Sequence, residues 1–420
     1  MRVRSGIEAL LAPLVVAAGA CGPADRSDAP ADGARDSAGV PIQHLSAAEL
    51  GTAPVLVLQE DLRIGALDGP VHEQFFGIAD IEPGGDGSIW ILDSRNASVR
   101  LFDAEGKFVR SFGSEGEGPG EFRYPRFLIV DGDTILVADL YLLHRFTTSG
   151  DFVDARAVGD ARSLPLQSGQ MTPVGPLVAY EHRTNRPRGE PGPWYDTTSV
   201  RRLETATAKV SEPLARFIGR ETYLLGQLGF YTYPFMSAAP QSTIGPDGNL
   251  YSTRGDDYRI EVRAVAAPST GVTALTKIVE GEVERIAVTE SEYDAYYRER
   301  LEQYVGRPAG SEGAMLREMF EKEYPSIPRA SHRPVLGRIL ADEAGRILVE
   351  RVDFDPRPLE TGDTATWDLI RPEVGIAGRL KIPPDVRVYR FTSRHLYAVA
   401  RDSLDVQYVV RYRLVAGPGG

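Results

Sequence analysis

Arginines and aromatic residues gather at four places in this 420-residue chain: Arg123-Tyr124-Pro125-Arg126-Phe127, Tyr231-Thr232-Tyr233-Pro234-Phe235, Arg329-Ala330-Ser331-His332-Arg333 and Arg387-Val388-Tyr389-Arg390. A planar guanidinium can grip a carboxylate with two donors, and a tyrosine ring gives contact area at low entropic cost. Together these groups suit recognition of a carboxylate, a sugar or a peptide. Arg123, Tyr124, Arg126, Tyr231, Tyr233, His332, Arg333 and Arg387 are the candidate ligand-binding residues. The competing reading is equally physical: the rings fill a core and the guanidiniums are solvated.

Other chemistries find less material. The six histidines (44, 72, 144, 182, 332 and 395) form no HExxH, no GxSxG accompanies them, and no candidate catalytic residue is assigned. The glycines at 113, 116, 118 and 120 lack the Lys-Ser/Thr of a phosphate loop and stand among Glu115, Glu117 and Glu121, which repel phosphate. Asp86, Asp131, Asp133 and Asp247 sit where aspartate bonds its own turn, and none belongs to a DxDxDG calcium loop. No metal or other cofactor is therefore expected. A formal net charge of −12 disfavours nucleic acid.

The elements that must position the arginines announce themselves by a repeat. A turn followed by an apolar run occurs at Ile89, Ile135, Leu177, Leu250, Ile347 and Leu396, at intervals of 46, 42, 73, 97 and 49 residues. The two long intervals contain insertions. One is the Pro, Gly and Arg-rich stretch 182–197, which reads as a long hairpin loop. The other, 289–324, reads as helical: Thr289 and Glu292 make a capping box, and Tyr293, Tyr297, Leu301 and Tyr304 recur at helical spacing. Without the insertions six similar units of four strands remain, the period of a propeller blade. The last unit, Val386–Phe391, Leu396–Val399 and Val406–Leu414, lacks a strand, and the isolated apolar run Val55–Ile64 can supply it. The predicted fold is all-β, a six-bladed β-propeller over 52–415 with N-terminal strand closure and a helical insertion in blade four. In such a ring these four blade-entry segments converge on one end of the central channel.

The N-terminus gives an address. Basic Met1–Arg4, a short apolar run to Ala20 and the small residues Ala18-Gly19-Ala20 precede Cys21, the only cysteine. This resembles the lipobox of bacterial lipoproteins and implies a signal peptide over 1–20, a lipid on Cys21 and a membrane as one partner. The small and polar residues that follow read as a flexible tether, placed at 21–51.

Phe112–Pro125 (FGSEGEGPGEFRYP) followed by Asp131–Asp139 (DGDTILVAD) resembles an NHL-type repeat. From about Thr52 to Val415 the chain is similar to bacterial six-bladed β-propeller lipoproteins. That resemblance implies a cell-envelope location, lipid-anchored at the outer membrane or the exported surface, and a module binding a small molecule, glycan, peptide or protein partner. The alternative is a metal-dependent hydrolase or lactonase, or a lyase, as some six-bladed propellers are. The gluconolactonase and paraoxonase types hold axial calcium with Glu, Asn and Asp, and streptogramin lyase uses His with acidic ligands. Neither set matches here residue by residue; Asp80 and His332 are the axis-facing candidates by analogy.

Overall fold

The computed structural model describes residues 34–37, 39–158, 166–182, 193–225, 230–265, 273–302, 311–323, 328–352 and 365–417. Six blades follow in chain order. Blade one is Ile78–Pro83, Ile89–Asp93, Ser98–Phe102 and Phe108–Phe112; blade two is Pro125–Asp131, Thr134–Asp139, Leu142–Thr147 and Phe152–Ala157. Blade three is Leu166–Gln170, Leu177–His182, Pro193–Glu204 and Ala215–Leu225, and Phe230–Thr232 adds to its end. Blade four is Gln241–Ile244, Asn249–Thr253, Arg259–Val265 and Thr273–Gly281; blade five is Leu336–Ala341, Ile347–Arg351, Ala365–Arg371 and Gly375–Ile382. Blade six is Val386–Phe391, Leu396–Arg401, Gln407–Ala416 and, from the other end of the chain, Val55–Ile64.

The apolar runs that mark the repeat are apolar on both faces because each second strand packs between two blades. In blade one, Ile89 and Ile91 join a cluster with Tyr397, Val399 and Val409 of blade six. Their neighbours Trp90 and Leu92 point the other way, into a cluster with Leu128, Ile135 and Val137 of blade two. Strand alternation thus splits one sequence run between two seams. Aspartates that end these strands serve a second purpose. Asp93 accepts from the backbone N–H groups of Phe76 and Gly77, at 3.1 and 3.0 Å. Asp139 does the same for Arg123 and Tyr124, at 2.8 and 2.6 Å. Each carboxylate clamps the segment that enters its own blade.

Closure follows the expected route. Val55–Ile64 runs antiparallel to Gln407–Ala416, with Leu58 opposite Leu414 and Ile64 opposite Val409. Asp61 sits at the bulge in that pairing and holds Arg411 (2.9 Å), His395 (3.4 Å) and Arg413 (3.5 Å). Upstream, the structure departs from a tether reaching residue 51. Val40–Leu45 is a strand lying parallel to the outer strand of blade four, with Ile42 opposite Ile278 and Leu45 opposite Gly281. Ala47–Gly51 is a short helix capped reciprocally by Ser46 and Glu49. Ile42, Leu45 and Leu50 are buried, which offsets the cost of ordering this stretch. Residues 1–33, including Cys21, lie outside the described residues.

The helical insertion comprises Glu290–Glu302 and Glu312–Glu323, between the outer strand of blade four and the inner strand of blade five. Its capping box forms: Thr289 N donates to Glu292 Oε2 at 2.6 Å, and Glu292 N to Thr289 Oγ1 at 3.3 Å. Tyr293 is buried against Phe235 and Met236, so the first helix packs on the segment entering blade four. The stretch expected as a loop over 182–197 is shorter than that. Pro193–Thr197 belongs to a strand and pairs with Ala215–Leu225, the proline taking the strand's first position where no ladder donor is needed.

Candidate functional site at the blade-entry mouth

The inner strands carry a repeated irregularity. Their pairing shifts register between Ile78 and Asp80, Pro125 and Phe127, Leu166 and Ser168, Leu336 and Ile339, and Val388 and Arg390. Bulges re-aim side chains and recur beside functional surfaces. Two of the five fall on the segments singled out by the sequence, at Arg126 and at Tyr389.

Below these bulges the channel is ionic. Arg390 of blade six reaches across the seam to blade one, with Nη2 3.0 Å from Asp80 and Nε 2.8 Å from Glu82. Asp80 also accepts from Leu128 N of blade two at 3.1 Å. Tyr389 donates its hydroxyl to Ile78 O at 2.7 Å. Burial pushes the carboxyls of Asp80 and Glu82 up, and the Arg390 guanidinium opposes that shift. Burial alone would lower the pKa of Arg390, but the two carboxylates raise it. Asp80 thus bridges the inner strands of blades one, two and six. Its donor set does not fit a calcium ion, because a guanidinium already occupies both carboxylates. Among the described residues no group of three or more His, Cys, Asp or Glu could hold a metal. Asp86 and Asp247 bond within their own turns, to Ser88 and to Asn249 and Tyr251.

The candidate residues meet different fates. Arg123 pairs with Glu117 at 2.6 Å, both well exposed, and Arg333 pairs with Glu292 at the start of the insertion helix. Tyr124 is exposed, and Tyr233 is exposed beneath the guanidinium of Arg220, 3.9 Å from its ring centroid. His332 is half-buried, with Nδ1 2.9 Å from Ser331 Oγ. Tyr231 lies in the strand Phe230–Thr232, but its side chain is outside the described residues. Arg126 and Arg387 are exposed and have no carboxylate partner among the described residues. Arg387 lies over the Tyr389 ring, 5.2 Å from its centroid.

Two openings flank the ionic girdle. The larger, about 600 Å³, lies at the far end of the channel among the turns that follow the inner strands, and is lined by Glu82, Gln170, Thr243, Arg390 and His395. A smaller cleft, about 170 Å³, lies at the entry mouth between blades one and six and includes Arg95, Arg387 and Gln407. Arg95 and Gln407 were not legible as candidates. They flank the turns after second strands, which reach the same face as the blade-entry segments. The signal was available in Asp93-Ser94-Arg95, directly after the first apolar run.

A family described as 6-bladed beta-propeller matches residues 76–159, which span blades one and two. No curated protein matches the chain. Among solved structures, the chain is similar to a Bacteroides fragilis NCTC 9343 protein described as exported, at 12% identity and a TM-score of 0.47, over 90% of this chain and 99% of that one. It is similar to a member of the DUF4221 family from Bacteroides vulgatus, at 9% identity and a TM-score of 0.45, over 87% and 99%. It is also similar to regucalcin, a calcium-binding protein from Agrobacterium tumefaciens, at 13% identity and a TM-score of 0.39, over 87% and 97%.

Proposed function

We propose that the chain is an exported, lipid-anchored propeller that binds an acidic ligand at its blade-entry mouth: a small molecule, a glycan or a peptide bearing a carboxylate. The observation that carries this reading is the pair Arg126 and Arg387, exposed guanidiniums without carboxylate partners among the described residues, on a protein of net charge −12. Carboxylates outnumber arginines and lysines by 59 to 47, so unpartnered cations on one face are not what composition alone delivers. Loops and strand ends on a rigid ring are where recognition sits. A hydrolase or lyase would need channel carboxylates free to hold a metal or move a proton, and Asp80 and Glu82 are both bound by Arg390.

Two measurements test the reading. An array of acidic glycans and peptides probed with the wild-type protein and with Arg126→Ala/Arg387→Ala should show binding that the double variant loses by at least about tenfold, the scale of one lost charge-assisted contact. Equal signals from both proteins would overturn it. For the anchor, labelling cells with a clickable palmitate analogue should mark the wild-type protein and leave Cys21→Ala unmarked. An unlabelled wild-type protein would refute lipidation.

A further inference from the structure

The cleft between blades one and six is lined by three arginines, Arg95, Arg387 and Arg401, and by one carboxylate, Asp405. Gln407 is 5% exposed. Its Oε1 accepts from Ile78 N at 2.8 Å, which fixes the amide and leaves Nε2 as its free end. That nitrogen donates to no described residue, and Gln407 lines the cleft. The amide N–H2 therefore opens onto the cleft, where it can donate to whatever occupies that space. Arg387 and Arg95 line the same space, both exposed and without a carboxylate partner among the described residues.

The surroundings hold these groups in place. Arg387 rests on the Tyr389 ring, and Tyr389 is pinned to Ile78 O. The stem of Arg95 crosses Gly77 so closely that a Cβ there would meet Arg95 Cγ at 2.6 Å. Gly77 is itself clamped by Asp93. The other charged groups cancel: Asp405 is paired with Arg401 at 2.5 Å. The Ser94 hydroxyl is spent on Gly77 O at 2.8 Å. Two uncompensated positive charges and one oriented neutral donor therefore face a space of about 170 Å³.

We propose that this cleft is a carboxylate subsite, with Gln407 Nε2 and the Arg387 and Arg95 guanidiniums as its donors. The inference deepens the acidic-ligand reading above and rests on it. Planar amide and guanidinium donors match a planar carboxylate better than a tetrahedral anion. The volume admits the end of a ligand rather than a whole oligomer, at roughly 30 Å³ per water-sized group. The carboxylate is the terminus of a peptide or the acid group of a sugar, and the two sources share this chemistry.

Calorimetric titration of the full-length protein distinguishes them. The probes are N-acetyl-Ala-Ala with a free C-terminus, the same peptide as its C-terminal amide, glucuronate and inorganic phosphate. The variants are Arg95→Ala, Gln407→Glu and Arg126→Ala. Gln407→Glu keeps an acceptor for Ile78 N but replaces the free donor with a negative oxygen. Saturable binding of the free peptide or of glucuronate, weakened at least tenfold by Arg95→Ala and by Gln407→Glu, supports the subsite. Which of the two probes binds identifies the source. Binding that Arg126→Ala weakens while Arg95→Ala and Gln407→Glu leave it intact overturns the subsite and spares the mouth. Equal binding of the amide and the free peptide, or a preference for phosphate, overturns the carboxylate assignment. No saturable binding of any probe overturns the subsite, while the glycan and peptide array still decides the broader reading.

Discussion

A chain beginning at Gly65 will not fold as a closed ring. It lacks Val55–Ile64, which forms eight register pairs with Gln407–Ala416 and buries Ile64 in the seam between blades six and one. Each backbone hydrogen bond contributes about 0.5–1.5 kcal/mol net, and burial of one isoleucine side chain about 1.5–3 kcal/mol. Their loss is comparable with the roughly 5–15 kcal/mol that stabilises a whole domain. The Asp61 contacts with Arg411, Arg413 and His395 go with them. The exposed edge of blade six would also template pairing between molecules. Thermal unfolding of the truncated protein should lose its cooperative transition, and size-exclusion chromatography should show association. A monomer with an unchanged Tm would mean that closure lies elsewhere.

Arg390→Ala should be the most damaging single substitution in the channel. It leaves Asp80 and Glu82 buried without their counter-charge, a change that costs about 3–5 kcal/mol for a broken buried pair. The loss should depend on pH in a definite sense. Burial places the folded-state pKa of both carboxyls above the unfolded values. A group shifted in that direction contributes stability that is fully present below the unfolded pKa and is lost as pH rises through the folded one. Without Arg390 to oppose it, the upward shift grows, so the gap to wild type should widen from pH 4 to pH 7. Asp80→Asn/Glu82→Gln should restore part of the stability of Arg390→Ala. A pH-independent gap in chemical denaturation, or one under about 1 kcal/mol, would show that the trio is not a coupled ionic unit.

The parts of the fold that were legible are those written locally. Ile89-Trp90-Ile91-Leu92 shows its blade because both faces of the strand are buried within five residues of chain. Val55–Ile64 shows its role because an apolar strand without a neighbour and a final unit lacking a strand are complementary deficits. Pairings across the ring were not legible. Arg390 lies 310 positions from Asp80, and nothing near either residue names the other. The strand Val40–Leu45 was not legible because its burial depends on an edge of blade four more than 230 residues away. Arginines were legible as a type but not by state: Arg123 and Arg333 are committed to Glu117 and Glu292, whereas Arg126 and Arg387 are not. That division is set by loop geometry, which residue spacing does not encode. Gln407 is harder still, since its meaning rests on one amide oxygen satisfied by Ile78 N and one nitrogen left over.

The proposed recognition site is the blade-entry mouth, although the larger of the two openings lies at the other end of the channel. Diffraction from crystals soaked with glucuronate and with N-acetyl-Ala-Ala decides between the two ends directly. The expected result is ligand density with a carboxylate within hydrogen-bonding distance of Arg387 and Gln407 Nε2. Density confined to the far cavity, beside Gln170, Thr243 and His395, would contradict it.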